Sequence, residues 1–281
     1  MIQVNHLTKN YGSFHLDISM EIPAGRVTGL VGRNGAGKST TIKALLGLIL
    51  PDGGEVRVLG KPVSALTAAD REQIGVAFSD SGFSGFLKLG DVRRVLRASY
   101  RNFDEAWFTR ACREGGLPED KPLKEFSTGM RARLRVLTAC SHKAKLLILD
   151  EPTAGLDVVA RREVLDMLRE HLAEDSQRTV LISSHISSDL EGFCDDICML
   201  RDGQIVLHED TDVVLGEYAV LKLTAAAFDK LDKRYILQTK PESFGYSCLT
   251  NQRQFYAENY PEIVMESGSI DDLIIMMAKE A

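Results

Sequence analysis

The sequence has no long hydrophobic run, since no apolar stretch approaches the roughly 18 to 20 residues that cross a bilayer. Its first residues also lack the basic segment and following apolar segment that mark a secretory leader. We therefore expect a cytoplasmic protein that does not itself enter the membrane.

Cysteine is scarce, and no two cysteines form a CxxC pair. The five residues are Cys112, Cys140, Cys194, Cys198 and Cys248. Their odd number favours reduced thiols that pack in the interior over a disulfide framework.

The charge balance lacks a basic excess, because 34 Lys and Arg stand against 40 Asp and Glu, for a formal net charge of −6. A surface that mainly binds nucleic acid needs clustered positive charge, so we expect no nucleic-acid partner.

At 281 residues the chain is longer than one average domain, which favours a principal domain with a smaller appendage.

The most informative feature present is a glycine loop. Residues 32–39 read GRNGAGKS and match the phosphate-binding pattern GxxxxGK[ST] in full. Residues 26–31 before the loop are typical of a short buried strand, and residues 39–50 after it have the apolar spacing of a helix. The order of strand, loop and helix is the context that this pattern requires.

The residue types in the loop suit a phosphate site. Glycines let backbone N–H groups approach phosphate oxygens, and the helix N-terminus adds positive potential. Lys38 is expected to place its charge on the β- and γ-phosphates, while the Ser39 hydroxyl is placed to bind Mg²⁺. The predicted nucleotide-binding positions are Gly32, Arg33, Asn34, Gly35, Ala36, Gly37, Lys38, Ser39 and Thr40.

A second element places two carboxylates beside this loop. Residues 146–152 read LLILDEP, an apolar strand that ends in Asp150 and Glu151. Ligands of open α/β sheets bind at the carboxyl ends of the strands. Asp150 is suited to hold Mg²⁺ through water, and Glu151 is suited to take a proton from the water that attacks the γ-phosphate.

Hydrophobic patterning predicts an α/β core with a mostly parallel sheet. Residues 83–145 have helical patterns only, which indicates an inserted helical subdomain. Residues beyond about 211 contain short strand patterns and a final helix opened by Ser269. The strands predicted for the core are residues 2–4, 26–31, 74–78, 146–149, 179–183, 197–200 and 205–208, and its helices are residues 39–50, 155–173 and 186–193.

A third element lies in the helical segment. Residues 126–130 read FSTGM and open a basic helix. Ser127 and Gly129 at a helix N-terminus form a second anion site, distinct from the glycine loop. A single chain has no evident use for two such sites.

With these residues in view, the sequence over about residues 1–210 resembles the nucleotide-binding subunit of ATP-binding cassette (ABC) transporters. GRNGAGKS is similar to the Walker A motif, LLILDEP to Walker B, and FSTGM to a variant of the LSGGQ signature. The resemblance adds Tyr11 in LTKNYG as the adenine-stacking aromatic, Asp157 at the end of TAGLD as the aspartate loop, and His185 in SSHIS as the switch histidine.

The resemblance implies an ATPase that uses ATP and Mg²⁺ and drives a separate membrane permease. Two cassettes of this family pair head to tail, so that each ATP lies between the Walker motifs of one and the signature helix of the other. We expect a homodimer on the inner face of the membrane. The implied fold is a P-loop cassette with a mostly parallel central sheet and a small antiparallel β portion. The implied division is a nucleotide-binding domain of residues 1–210, with a helical subdomain of about 83–145, and an α+β accessory domain of 211–281.

One position departs from the family pattern. Members usually carry glutamine at the end of a segment like IGxxxQ, where it contacts Mg²⁺, whereas here residues 74–78 are followed by Ser79 and Asp80. Two alternatives stand: Ser79 or Asp80 serves the metal, or the contact is lost. In the second case the chain is a weakly hydrolysing regulatory subunit.

Residues 97–108 and the ending GSIDDLIIMMAKE are similar to a subgroup that serves small ABC-2-type permeases, mostly exporters of peptides, antibiotics or lipids. The alternative function is a soluble cassette ATPase that acts on DNA or ribosomes. DNA-repair members carry a long coiled coil within the cassette, and no heptad run lies between Lys38 and Ser127.

Overall fold

The computed structural model describes residues 1–78, 82–184 and 186–277. No helix in these ranges is long and apolar enough to span a bilayer. The strands are β1 (Ile2–Tyr11), β2 (Phe14–Ile22), β3 (Val27–Val31), β4 (Gly53–Val58), β5 (Lys61–Pro62), β6 (Ile74–Phe78), β7 (Leu146–Asp150), β8 (Thr179–Ser183), β9 (Asp196–Arg201), β10 (Gln204–Asp210), β11 (Ala219–Leu223), β12 (Ile236–Glu242), β13 (Gly245–Thr250) and β14 (Val264–Ser267). The helices are α1 (Lys38–Leu45), α2 (Ala68–Arg71), α3 (Leu89–Ser99), α4 (Glu105–Glu114), α5 (Thr128–Cys140), α6 (Val158–Ala173), α7 (Ser187–Glu191), α8 (Thr211–Glu217), α9 (Ala225–Lys230), α10 (Arg253–Asn259) and α11 (Ile270–Met277).

The central sheet has the strand order β10-β9-β3-β8-β7-β6, and all neighbours are parallel except β10, which pairs with β9 antiparallel. Every residue of β3, β7 and β8 is buried, because structure covers both faces of the sheet. The strands β3 and β7 flank β8. The glycine loop after β3 and the carboxylates of β7 therefore meet at one edge, on either side of the end of β8.

An antiparallel sheet of order β2-β1-β4-β5 covers one face of the central sheet. The predicted small antiparallel portion is confirmed, but the sequence analysis located only the first residues of β1 and did not locate β2, β4 or β5. In β2 the buried residues Leu16, Ile18, Met20 and Ile22 alternate with more exposed ones. They pack in one cluster with residues of the central sheet such as Leu30. This alternation is the period-2 signal of a half-buried strand, so the sequence did carry it.

The helical segment joins the central sheet through α5. On one side of α5, Leu134 and Leu137 pack with residues of α3 and α4. On the other side, Ala132 and Val136 pack with buried residues of the central sheet and α6. Because α5 is anchored on two sides, the residues at its N-terminus are held in a defined position relative to the sheet.

The strands β11 to β14 form a separate antiparallel sheet of order β12-β13-β11-β14. With α9 and α10 between strands, the chain order is βαββαβ, which is the ferredoxin-like topology. Residues such as Leu221 and Cys248 pack with the aromatic side chains of α9 and α10. The neighbouring residues Val220 and Leu249 pack instead with α11 and with the cluster formed by the central sheet and its helices. The appendage is therefore α+β, as predicted, and one face of its sheet is buried against the rest of the chain.

All three helices predicted for the core are shorter in the structure, and the helix predicted over 186–193 is α7, Ser187–Glu191. The helix predicted over 39–50 is α1, which ends at Leu45 because Gly47 follows with a φ of 69°, the left-handed conformation that stops helices. The helix predicted over 155–173 is α6, which begins at Val158. Its N-cap is Asp157, whose Oδ1 accepts a hydrogen bond from the Ala160 N–H at 2.8 Å.

Candidate functional site

The glycine loop lies between β3 and α1, where residues of other strands approach it closely. A Cβ on Gly32 would lie 2.4 Å from the Leu200 carbonyl oxygen, and one on Gly37 would lie 2.8 Å from Leu16 Cδ1. Both glycines also have positive φ, 148° and 115°. Only glycine fits these two positions, so the path of the loop is determined by its sequence and its surroundings.

Lys38, the first residue of α1, turns back over the loop. Its Nζ donates to the Gly32 carbonyl oxygen at 2.7 Å and lies 3.9 Å from Glu151 Oε1. The side chain is 7% exposed, and this burial lowers the pKa of the Lys38 ammonium, with the nearby carboxylates of Glu151 and Asp150 opposing the shift. A buried positive charge therefore stands at the centre of the glycine loop.

The other positions of the loop differ in exposure. Arg33, Asn34 and Gly35 are exposed at its tip, whereas Ala36 is buried. In the first turn of α1, Thr40 is half-buried.

Ser39 and Asp150 lie together at the carboxyl edge of the sheet. The Ser39 Oγ donates to Asp150 Oδ2 at 3.0 Å, which joins the start of α1 to the end of β7. Two oxygen ligands of the kind that Mg²⁺ prefers thus lie side by side, next to the Lys38 ammonium. The sequence analysis predicted this pairing.

Glu151 occupies a strained backbone position. Its φ is 52°, the left-handed region that a residue other than glycine seldom adopts, and such strain clusters at functional sites. The Glu151 N–H donates to Ser183 Oγ at 3.0 Å and to the Ser183 carbonyl oxygen at 3.2 Å. The carboxylate is half-buried beside Lys38. A general base with this placement can reach a water molecule next to a phosphate held by the loop.

Ser183, the last residue of β8, is a site residue that the sequence analysis missed. It is fully buried, and its Oγ donates to Asp150 Oδ1 at 2.6 Å while accepting from the Glu151 N–H. One hydroxyl therefore orients both acidic residues. A serine at the end of a buried strand is a weak signal, because its partners lie more than thirty positions away in the chain.

For the ATPase that the motifs predict, we expect Ser183→Ala to raise the Mg²⁺ concentration for half-maximal activity about 10- to 100-fold, since Asp150 loses a hydrogen bond to a charged group worth about 1.5–3 kcal/mol. The measurement is a Mg²⁺ titration of phosphate release at saturating ATP. Ser184→Ala is the control, because the Ser184 Oγ bonds Ile186 and neither carboxylate. Equal Mg²⁺ dependence in the two variants would remove Ser183 from the site.

Ser127 and Gly129 lie at the start of α5. The Ser127 Oγ accepts from the Met130 N–H at 3.2 Å, so the serine is the N-cap of α5. A Cβ on Gly129 would lie 3.6 Å from Ala160 Cβ, which places the starts of α5 and α6 side by side. Ser127 and Asp157 are both exposed there.

Tyr11 lies at the end of β1, where it pairs with Phe14 of β2. Its side chain is 49% exposed, and the Lys9 Nζ is 5.7 Å from the ring centroid. Phe14 Cζ in turn lies 3.3 Å from the position of a Cβ on Gly37. The hairpin that carries Tyr11 therefore packs against the glycine loop, and the ring is available to a ligand.

The predicted residues Ser79, Asp80 and His185 lie outside the described part of the chain.

The fold and the edge formed by Lys38, Ser39, Asp150 and Glu151 define a P-loop nucleoside triphosphatase. A family model described as "ABC transporter" matches residues 16–154. The chain is 32% identical to the bacitracin transport ATP-binding protein BcrA of Enterococcus faecalis, over 90% of this chain and 82% of that protein. It is 33% identical to the lantibiotic transport ATP-binding protein SrtF of Streptococcus pyogenes, over 75% of this chain and 92% of that protein.

Among solved structures, the chain matches the ATP-binding cassette MJ0796, described as a dimeric post-hydrolysis state bound to ADP and Pi. The TM-score is 0.66 at 22% identity, over 75% of this chain and 99% of that one, which shows a shared fold. The chain belongs to the ABC transporter family, and it is an ATP-binding, ATP-hydrolysing transporter subunit.

Proposed function

We propose that two copies of this chain pair over ATP and Mg²⁺ and power a separate integral membrane permease at the cytoplasmic face of the membrane. The juxtaposition of Lys38, Ser39, Asp150 and Glu151 at one edge of the sheet is the observation that carries the chemistry. BcrA and SrtF are named for bacitracin and lantibiotic transport, so we propose export of a peptide, an antibiotic or a lipid-like molecule.

Each residue of the edge has a distinct role in this proposal. Lys38 and the backbone N–H groups of residues 32–40 hold the β- and γ-phosphates. The Ser39 hydroxyl and the Asp150 carboxylate fit Mg²⁺, which would supply charge neutralisation of the phosphates. Glu151 orients the attacking water and takes its proton. Tyr11 stacks on adenine, His185 contacts the γ-phosphate, and Ser79 stands at the position of the usual metal-contacting glutamine.

An exposed patch at the starts of α5 and α6 supports the pairing of two copies. Ser127 and Asp157 are exposed there, and beside them Val158 and Val159 are 76% and 68% exposed. Two adjacent valines in water are unfavourable unless a partner covers them. The Ser127 end of α5 would close over the ATP of the other copy, which gives the second anion site its use. Asp157 would lie at the same seam.

Crosslinking tests this arrangement directly. One tagged copy carries Ser127→Cys, a second carries Asn34→Cys at the exposed tip of the glycine loop, and both carry Glu151→Gln to block hydrolysis. We expect a short bismaleimide to join the two copies in Mg²⁺-ATP and to give little product without nucleotide. All five native cysteines are buried, so they do not compete.

The control replaces Ser127→Cys by Glu258→Cys, an exposed position on α10 in the ferredoxin-like part. This pair should give no ATP-dependent product. A yield for Ser127→Cys no higher than that of the control would rule out the head-to-tail dimer. The proposed permease is tested separately, by its recovery together with the tagged chain from detergent-solubilised membranes.

The two alternatives from the sequence analysis are less well supported. The curated relatives carry names of transport proteins, which does not favour a factor that acts on DNA or ribosomes. The weakly hydrolysing regulatory subunit was motivated by Ser79 alone. The acidic and basic residues that the sequence analysis predicted for this edge and that the structure describes lie in contact with one another. This arrangement favours an ATPase that drives transport over a weakly hydrolysing subunit.

We further propose that residues 1–210 are the nucleotide-binding domain, with its helical subdomain at about 83–145, and residues 211–281 the accessory domain.

A further inference from the structure

The last helix, α11, is wedged between the ferredoxin-like sheet and the nucleotide-binding part of the chain. Its residues Ile270, Leu273 and Met276 are 0%, 0% and 8% exposed. They belong to one apolar cluster with Leu190 of α7 and with Leu249 of the ferredoxin-like sheet. A helix buried on this side cannot shift without disturbing both neighbours, because packed interiors adjust in discrete rearrangements.

Both ends of α11 are tied by side chains of the cassette. At the N-terminal end, the Ile270 N–H donates to Glu191 Oε1 at 3.0 Å. At the C-terminal end, Arg201 Nη1 donates to the Met277 carbonyl oxygen at 2.6 Å. The first turn of a helix leaves such an N–H group without a partner inside the helix, and an anion suits it. The two contacts therefore fix the helix along its axis.

The second tie leads to the glycine loop. Arg201 ends β9, and the end of β9 and the turn that follows it each contact the loop once. The Gly203 N–H donates to the Ala36 carbonyl oxygen at 3.1 Å, and the Leu200 carbonyl oxygen lies 2.4 Å from the position of a Cβ on Gly32. A single turn thus touches the phosphate-binding backbone on one side and α11 on the other.

A cavity of about 200 Å³ separates α11 from the loop. One wall is the glycine loop from Gly32 to Ala36, and another is formed by Ile274 and Met277 of α11. The space is small, so a movement of α11 toward or away from the loop changes how tightly the loop is supported from behind.

We propose that α11 is a positioning element of the ATP site, and that Arg201 is the positioning residue that transmits its placement to the glycine loop. The accessory segment then sets how well the loop is arranged for triphosphate, and ATP binding in turn tightens α11. Coupling between two parts of a molecule is reciprocal, with a typical strength of about 5-fold or more in affinity. This inference rests on the proposed assignment of the glycine loop to ATP.

Hydrogen exchange of the wild-type protein tests the reciprocal effect. With Mg²⁺ and the non-hydrolysable analogue AMP-PNP, we expect exchange in a peptide covering residues 270–277 to slow about 5-fold. A peptide over α10, in the same ferredoxin-like part, should not change. Peptides over residues 32–45 report nucleotide binding itself. Protection of the loop with no protection of α11 would overturn this inference alone, whereas no protection of either would overturn the assigned ATP site as well.

Variants of Arg201 test the transmission. We expect Arg201→Gln to raise the KM for ATP about 5-fold with kcat within about 2-fold of wild type, and to abolish the nucleotide-dependent protection of α11. Arg201→Lys keeps a charged donor and should restore part of the affinity. The matched control is Arg234→Gln, because Arg234 pairs with Asp232 in the ferredoxin-like part. If Arg201→Gln lowers the melting temperature but leaves KM unchanged, Arg201 is only a structural contact and the proposal fails.

Discussion

Glu151→Gln should reduce steady-state ATP turnover about 10²- to 10⁴-fold, the typical contribution of a general base. Glutamine keeps the size of the side chain, but its amide cannot take a proton from the attacking water. The carboxylate lies 3.9 Å from the Lys38 ammonium, so the amide also removes a negative charge near the phosphates. Binding of ATP should therefore persist, and an ATP-stabilised dimer should accumulate.

Phosphate release in Mg²⁺-ATP measures the loss of turnover, and light scattering under the same conditions measures the accumulation of the dimer. The control is Glu258→Gln, the same chemical change at an exposed position of α10, which should leave turnover within about 2-fold. Turnover of Glu151→Gln equal to that of wild type would show that Glu151 is not the base. That result would favour the weakly hydrolysing regulatory subunit.

Most of the candidate site could be predicted because its residues lie in short contiguous motifs that can be recognised in the sequence. The glycine loop and the LLILDEP segment each come after a run of apolar residues, and both runs form fully buried strands. A parallel sheet brings the ends of such strands to one edge, so the meeting of Ser39 with Asp150 needs no further information. The motifs encode a local conformation as well as a chemistry.

Contacts between distant parts of the chain were not predictable in this way. Ser183 orients Asp150 across 33 positions, and Arg201 meets Met277 across 76 positions. Each is a single polar residue whose partner depends on how strands and helices pack. The hydrophobic periodicity of the sequence does not predict such a partner. The placement of α11 behind the glycine loop belongs to the same class, since the sequence analysis found only a final helix opened by Ser269.

The sequence analysis predicted a small antiparallel portion but did not locate most of its strands, for a different reason. The alternating residues of β2 are an ordinary amphipathic strand, whereas the sequence analysis gave weight to continuous apolar runs. This strand supports the site, because Leu16 lies directly against the loop at Gly37. The omission therefore left out one of the surfaces that determine the path of the loop.

Lys38→Ala should weaken ATP binding about 10- to 100-fold, since charge-assisted hydrogen bonds contribute about 1.5–3 kcal/mol each. The lysine Nζ is already held above the loop by the Gly32 carbonyl oxygen at 2.7 Å, so little ordering is required when the phosphates arrive. Titration with a fluorescent ATP analogue measures the loss. Lys43→Ala removes an exposed lysine from the same helix and is the matched control. An equal affinity in both variants would exclude Lys38 from the phosphate site.

The pH dependence of binding gives this prediction a second, independent readout. Burial lowers the pKa of the Lys38 ammonium in the free protein, and phosphate oxygens that replace water favour its charged form and raise that pKa again. The ATP-bound state therefore holds more protons than the free state. Its affinity is full below the lowered pKa and declines as pH rises through it. Wild type and Lys43→Ala should show this decline and Lys38→Ala should lack it, because alanine has no ammonium to titrate.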